Sequence, residues 1–386
     1  SGCGVDDGSL AAADVSWTGS GRGASVGIAL AGREDIDGDG AIDVILGASE
    51  VDGGSGPGAA YLMLGAGTLG SGTISLASST WTGIDNGDEA GCSVSLLGDV
   101  DDDGVNDVLI GARKNADAGT DAGAAYLLSG VDALVGGSLE DATATFLGTE
   151  AGGFAGHAVA SAGDVDDDGI ADLLVSAYQA QSSFGLVYLI LGSPSLVSDD
   201  LSSASAVYEG ENSSDQAGYG LDGAADFNAD GFDDIAIGAY YNDVGGTKAG
   251  AAYIVFGSGS PTSSSLTGTD LQFTGEDDED VAGWSVAFAG DVNDDGFDDL
   301  LVGAKWNDNG ADEGGAASLV LGGSAVSSGS LSLADATYAG TSDDDYAGSA
   351  VAAAGDVDDD GFDDMLVGAP GAGSGGYAYL VRGSAL

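Results

Sequence analysis

Positive charge is the scarcest commodity of this chain. Seven Lys and Arg stand against 64 Asp and Glu in 386 residues, a formal net charge of -57. Nucleic acid and anionic lipid both need Lys or Arg to neutralise phosphate, so the balance excludes them as partners. Histidine is nearly absent, with His157 alone. A Ser-His-Asp or Cys-His set has one place to form, and His157 falls where other repeats carry Cys92, Tyr219, Trp284 or Ser349. It reads as a packing residue, and no catalytic residue is assigned. No glycine-rich loop precedes a helix, which removes a phosphate cradle. No apolar run approaches 18 residues, so no transmembrane segment is expected. Proline supplies only 4 residues. Of the two cysteines, Cys92 reads as a small packed thiol in preference to a disulfide with Cys3. Cys3 follows Ser1-Gly2, like the end of a bacterial lipoprotein processing site, so a lipid anchor there is the alternative. With no signal peptide in the sequence, the chain reads as a mature, exported form.

What is abundant is glycine, 71 residues, beside 43% hydrophobic residues. That mixture suits many short strands joined by tight turns, and it has too much apolar content for an acidic disordered tail. An internal repeat organises it. Asp-rich loops begin at Asp35, Asp99, Asp164, Asp226, Asp291 and Asp356, in steps of 62 to 65 residues. An aromatic-x-Gly element precedes each, at Trp17, Trp81, Phe146, Tyr208, Phe273 and Tyr338. A Gly-x-small-apolar step lies between, as in Gly91-Cys92-Ser93-Val94. After each loop comes an apolar strand ending in Gly-Ala (Ser176-Ala177 in one copy), then a third strand such as Ala124-Ala125-Tyr126-Leu127-Leu128.

Four short strands per 60-odd residues predict an antiparallel all-β fold with propeller blades. Residues 9–17 (SLAAADVSW) match residues 330–338 (SLSLADATY), the segment that ends in a fourth strand. The expected fold is therefore a single β-propeller, residues 1–386, of six four-stranded blades, closed by the N-terminal strand completing the last blade. The repeat units run approximately 18–82, 83–147, 148–209, 210–274, 275–339, and 340–386 plus 9–17.

The loops read DIDGDGAID (35–43), DVDDDGVND (99–107), DVDDDGIAD (164–172), DFNADGFDD (226–234), DVNDDGFDD (291–299) and DVDDDGFDD (356–364). Oxygen side chains at positions one, three, five and nine can wrap one ion, and the glycine at six permits the turn. The predicted side-chain ligands are Asp35, Asp37, Asp39 and Asp43, then Asp99, Asp101, Asp103 and Asp107, then Asp164, Asp166, Asp168 and Asp172. The remaining three loops offer Asp226, Asn228, Asp230 and Asp234, Asp291, Asn293, Asp295 and Asp299, and Asp356, Asp358, Asp360 and Asp364. Backbone carbonyls at position seven can add to each: Ala41, Val105, Ile170, Phe232, Phe297 and Phe362. All-oxygen sets suit Ca²⁺ over Zn²⁺ or Cu²⁺, and Mg²⁺ holds its waters too tightly to favour them. About six Ca²⁺ are expected, one per blade. Position twelve is Leu46, Ile110, Val175, Ile237, Val302 or Val367, where an EF-hand has a bidentate Glu, so the loops belong on β-hairpins.

The alternation of aromatic-x-Gly, Gly-x-Ser-Val, D-x-D-x-D-G-x-x-D and a Gly-Ala-ended strand resembles the FG-GAP repeat of the integrin alpha-subunit head, over residues 9–381. Gly368-Ala369-Pro370 alone reproduces the family's Gly-Ala-Pro in full. The resemblance implies a propeller with calcium in the hairpin between the first and second strands of a blade, on one face of the disc. It also implies seven blades, where the repeat count gives six, and a secreted or cell-surface setting. Some larger bacterial relatives pair the fold with polysaccharide-acting chemistry.

The loops between second and third strands then lie on the opposite face, with Arg113, Lys114, Lys248 and Lys305 beside Tyr178, Tyr240, Tyr241 and Trp306. Aromatics with Arg or Lys often mark contact surfaces. The expectation is a secreted, non-enzymatic module for adhesion, surface structure or self-assembly by stacking of discs, its partner a protein or glycan ligand or copies of itself. A lectin is the alternative, and a calcium-dependent polysaccharide lyase or hydrolase a further one.

Overall fold

The computed structural model describes residues 15–19, 25–50, 56–65 and 71–385. The second strand of each repeat shows how the sequence builds the fold. In Val108–Ala112 all five residues are buried. Successive side chains of a strand point to opposite faces. Val108 and Ile110 accordingly enter a core shared with Ile45, while Leu109 enters the next one with Leu173 and Val175. Each sheet is thus a slab apolar on both sides, which is buried only if another sheet covers each side.

Six such sheets form an all-β, six-bladed propeller. In blade two, Ala90–Leu96, Val108–Ala112, Ala124–Leu128 and Ala144–Leu147 pair antiparallel in chain order. Blades one, three, four and five repeat this order. Five large cores lie between successive blades, each holding a fourth-strand aromatic such as Trp81, Phe146 or Phe273. The glycine of the Gly-x-small step is where blades touch. Gly156 has a φ of +77°, and a Cβ there would lie 2.1 Å from the Ala124 carbonyl of the preceding blade.

The last blade consists, among the described residues, of Ala350–Gly355, Asp364–Ala369 and Tyr377–Val381. Trp17–Thr18 pairs in parallel with Gly72–Thr73, Trp17 opposite Gly72. That register equals Trp81 opposite Gly137, or Phe273 opposite Gly329, so Trp17 occupies a fourth-strand place. The rest of the expected closing segment, residues 9–14, lies outside the described residues, and no ladder among those described joins Trp17 to Tyr377–Val381. Leu30 of blade one and Leu366, Tyr377 and Tyr379 of blade six are exposed, where Val94, Leu109, Ala124 and Tyr126 hold the same register in blade two and are buried.

One feature departs from the repeat reading. Four sheets carry a fifth strand of two residues, contributed in parallel by the next blade: Gly137–Ser138, Asp199–Asp200, Ser264–Ser265 and Gly329–Ser330. Two residues carry no periodicity, so the pattern could not reveal them. Around the axis, Leu30, Val94, Val159, Leu221, Val286 and Val351 ring a cavity of about 500 Å³.

Candidate metal centre and the opposite face

The six Asp loops join the first strand of each blade to its second, so antiparallel order sets them on one face. Each loop is folded by its own carboxylates. The position-one carboxylate accepts the N–H groups of positions five and six, as Asp103 and Gly104 donate to Asp99 at 3.1 and 2.7 Å. Position five accepts from position seven: Val105 donates to Asp103 at 2.9 Å. Position nine is buried in every copy. Asp107 accepts Val100 N–H at 2.9 Å and, from beyond the third strand, Gly130 N–H at 2.8 Å. Asp43, Asp172, Asp234, Asp299 and Asp364 make the same pair of bonds. Burial pushes Asp107, Asp172, Asp234 and Asp299 up to about 7.

Carboxylate oxygens converge within 4.8 Å of one another in Asp35, Asp37 and Asp39, in Asp99, Asp101 and Asp107, in Asp164, Asp166 and Asp172, and in Asp356, Asp358 and Asp360. The loops at 226–234 and 291–299 carry Asn at position three, and Asn228 and Asn293 donate to Asp230 and Asp295 at 3.0 Å. The fit to a cation is decided at position three. The Oδ1 atoms of Asp101, Asp166 and Asp358 are buried without any hydrogen-bond partner. A buried, unpaired carboxylate oxygen beside other carboxylates is costly, and a hard divalent cation is the group that relieves it. Burial, then the neighbouring Asp103 and Asp99, hold Asp101 above the usual carboxylate range, the signature of a site short of positive charge.

The other face carries a chain of half-buried rings. His157 lies between Tyr178 and Tyr219, at 4.3 and 4.7 Å. Tyr219 touches Tyr240 and Trp284, both at 4.5 Å. Lys305 Nζ lies over Trp284, and Lys248 Nζ 4.9 Å from Tyr241. Burial lowers His157 to about 3, so it stays neutral and is a weak base. Burial also lowers Lys305 to about 8. Arg113 pairs with Glu89 at 2.7 Å, and Lys114 joins the same carboxylate. Cys92 is a free thiol that donates to the carbonyls of Gly111 and Gly156, and burial pushes it up to about 11. Cys3 lies outside the described residues.

Against known families, the FG-GAP repeat matches residues 155–190, 217–255, 282–320 and 347–381. Four of the six repeats are FG-GAP repeats. Each matched segment runs from a Gly-x-small step through an Asp loop to a third strand, and the first two blades keep the same loops outside the matched segments. The chain is similar to integrin alpha-PS2 of Drosophila melanogaster, 33% identical over 42% of this chain and 12% of that protein. It is similar to integrin alpha pat-2 of Caenorhabditis briggsae, 30% identical over 55% of this chain and 18% of the relative. Phosphatidylinositol-glycan-specific phospholipase D of Bos taurus is 34% identical over 45% of this chain and 21% of the enzyme. The chain therefore spans between an eighth and about a fifth of these curated relatives. Six blades stand where the resemblance implied seven.

A second repeated motif escaped the sequence reading. Asp88, Asp215 and Asp280, three residues before the blade-contact glycine, are buried and accept a bond from Asn115, Asn242 and Asn307 at 3.4, 2.9 and 3.0 Å. Each also accepts the N–H three residues upstream. In blade three the two positions are Gly153 and Ala180, which have no polar side-chain atom to pair. The signal was present as an Asp and an Asn recurring in register, 27 residues apart.

Proposed function

We propose that this FG-GAP propeller is an extracellular, calcium-stabilised adhesion or surface-structural module. Calcium, about one ion per blade, is held by the six Asp loops, and the opposite face receives the ligand. The observation that carries the reading is the set of orphaned oxygens on Asp101, Asp166 and Asp358 at the centres of the loops. The similarity to integrin alpha subunits supports the setting and the role. Among the described residues no helix is long and apolar enough to cross a membrane.

The ring chain from His157 to Trp284 favours glycan as a second ligand class, since flat aromatic faces stack on the apolar faces of sugars. Disc-on-disc stacking is the weaker reading: Arg113 and Lys114 are already engaged by Glu89, and Lys305 lies on Trp284. We assign no reaction to the chain, the similarity to the phospholipase covering 21% of that protein. The test is a glycan array run with matrix-protein binding and a turnover assay on acidic polysaccharides, all in calcium. Saturable, calcium-dependent binding without turnover is expected. Bond cleavage, or binding indifferent to calcium, would overturn the proposal.

A further inference from the structure

The metal reading leaves the eighth residue of each loop without a task. It sits between the carbonyl of position seven and the buried carboxylate of position nine, and in the structure it reaches the preceding blade. Asp233 Oδ2 accepts the N–H of Asp164 at 2.7 Å, Asp298 Oδ2 that of Asp226 at 2.9 Å, and Asp363 Oδ2 that of Asp291 at 3.1 Å. The backbone returns a bond each time, the N–H groups of Asp233, Asp298 and Asp363 donating to the carbonyls of Asp164, Asp226 and Asp291 at 3.3, 3.4 and 3.1 Å. Each partner is the position-one residue of the preceding loop. Asn106 also crosses from loop two to loop one, but with the opposite polarity, its side-chain amide donating to the Asp35 carbonyl at 3.3 Å and to Glu34 at 2.8 Å.

Glycine before the loop makes room for this contact. A Cβ on Gly163 would stand 2.0 Å from Asp233 Oδ2, and one on Gly290 2.1 Å from Asp363 Oδ2. Two copies break the pattern. Loop three has Ala171 at position eight, which keeps only its backbone N–H to Asp99 at 3.2 Å. Loop one has Ile42, whose side chain has no polar atom to offer.

We propose that Asn106, Asp233, Asp298 and Asp363 are positioning residues that tie the ion sites into two strings, loops one and two, and loops three to six, so that calcium binds cooperatively within a string and independently between them. The inference rests on the calcium reading of the loops. An ion in one loop orders its position-one residue, which the side chain at position eight of the next loop grips, through the N–H of Asp164, Asp226 and Asp291 and through the carbonyl of Asp35. That loop's ligands at seven and nine are the immediate neighbours of position eight, so the second ion meets a site already partly ordered. Coupling of this kind is worth about 5- to 150-fold in affinity.

Calorimetric titration of the chelator-stripped full chain with calcium chloride tests it. Two classes are expected, of about two and four ions, with a Hill coefficient above one in the larger. Asp298→Ala is expected to bind all six ions but to divide the larger class into two pairs. Asp298→Asn, which keeps an acceptor oxygen, is expected to titrate as the unaltered chain. Ala171→Asp is expected to merge the two classes, and it decides the matter where Asp298→Ala does not fold. Six independent ions, or an Asp298→Ala isotherm equal to that of the unaltered chain, would overturn the inference while leaving the calcium reading intact. No calcium uptake by any variant would overturn the calcium reading itself.

Discussion

The two faces of the disc follow opposite rules. On the face of the Asp loops, six hairpins repeat one spacing and one pair of bonds to position nine, from Asp43 in the first blade to Asp364 in the last. On the other face, the residue after the blade-contact glycine is Cys92, His157, Tyr219, Trp284 or Ser349, and the residue after the second strand's closing alanine is Arg113, Tyr178, Tyr240, Lys305 or Pro370. The repeats spend their sameness where every blade has the same structural problem, an acidic hairpin that must be held shut. Their variety gathers on the opposite face, where rings of three blades meet, from His157 and Tyr178 through Tyr219 and Tyr240 to Trp284. Uniform parts of a repeat protein report on folding, and divergent parts report on recognition.

That contrast can be broken by experiment. Chelation should have the largest effect: at calcium a hundred times its Kd each site contributes about 2.7 kcal/mol. Removing all ions should therefore lower the melting temperature by about 20 °C for a chain of this length, read by calorimetry. Next comes Asp107→Ala, measured by urea unfolding in chelator so that the ion is not counted. It strands the buried N–H groups of Val100 and Gly130, and a loss of about 3 kcal/mol is expected. Asp103→Ala, exposed at position five, should lose about 1 kcal/mol. Trp284→Ala should reverse the emphasis, weakening ligand binding about tenfold by surface plasmon resonance. Its cost in stability should be about 1 kcal/mol, and its response to chelator unchanged.

The smallest effect is on pH. Burial holds Asp88, Asp215 and Asp280 above the usual carboxylate range. The folded chain then keeps protons that the unfolded chain has released. The stability these groups contribute is greatest below the ordinary Asp pKa and falls as pH rises through that window. The triple variant Asp88→Asn, Asp215→Asn, Asp280→Asn should flatten this slope in urea midpoints taken across the window. An unchanged slope would remove these pairs from the account.

The sequence carried the blades because each strand's burial is written in its own residues, as in Val108–Ala112, and the loops because the carboxylates that fold them lie within nine positions. What it hid is long-range. The strand Gly137–Ser138 exists only because Trp81–Thr82 lies beside it. The grip of Asp233 on Asp164 spans 69 residues, and nothing local distinguishes Asp233 from a ligand. Arg113 and Lys114 read in sequence as cations available to a partner, but Glu89, more than twenty residues upstream, holds both. His157 was legible as packing, but its place between Tyr178 and Tyr219 requires a loop of its own blade and one residue of the next blade to meet.

Native mass spectrometry of the chain, sprayed from millimolar calcium and then from chelator, addresses the central claim most directly. The expected result is a mass increment of six calcium ions that disappears on chelation, with a shift to the higher charge states of an opened chain. An unchanged mass and charge distribution in the two solutions would contradict it.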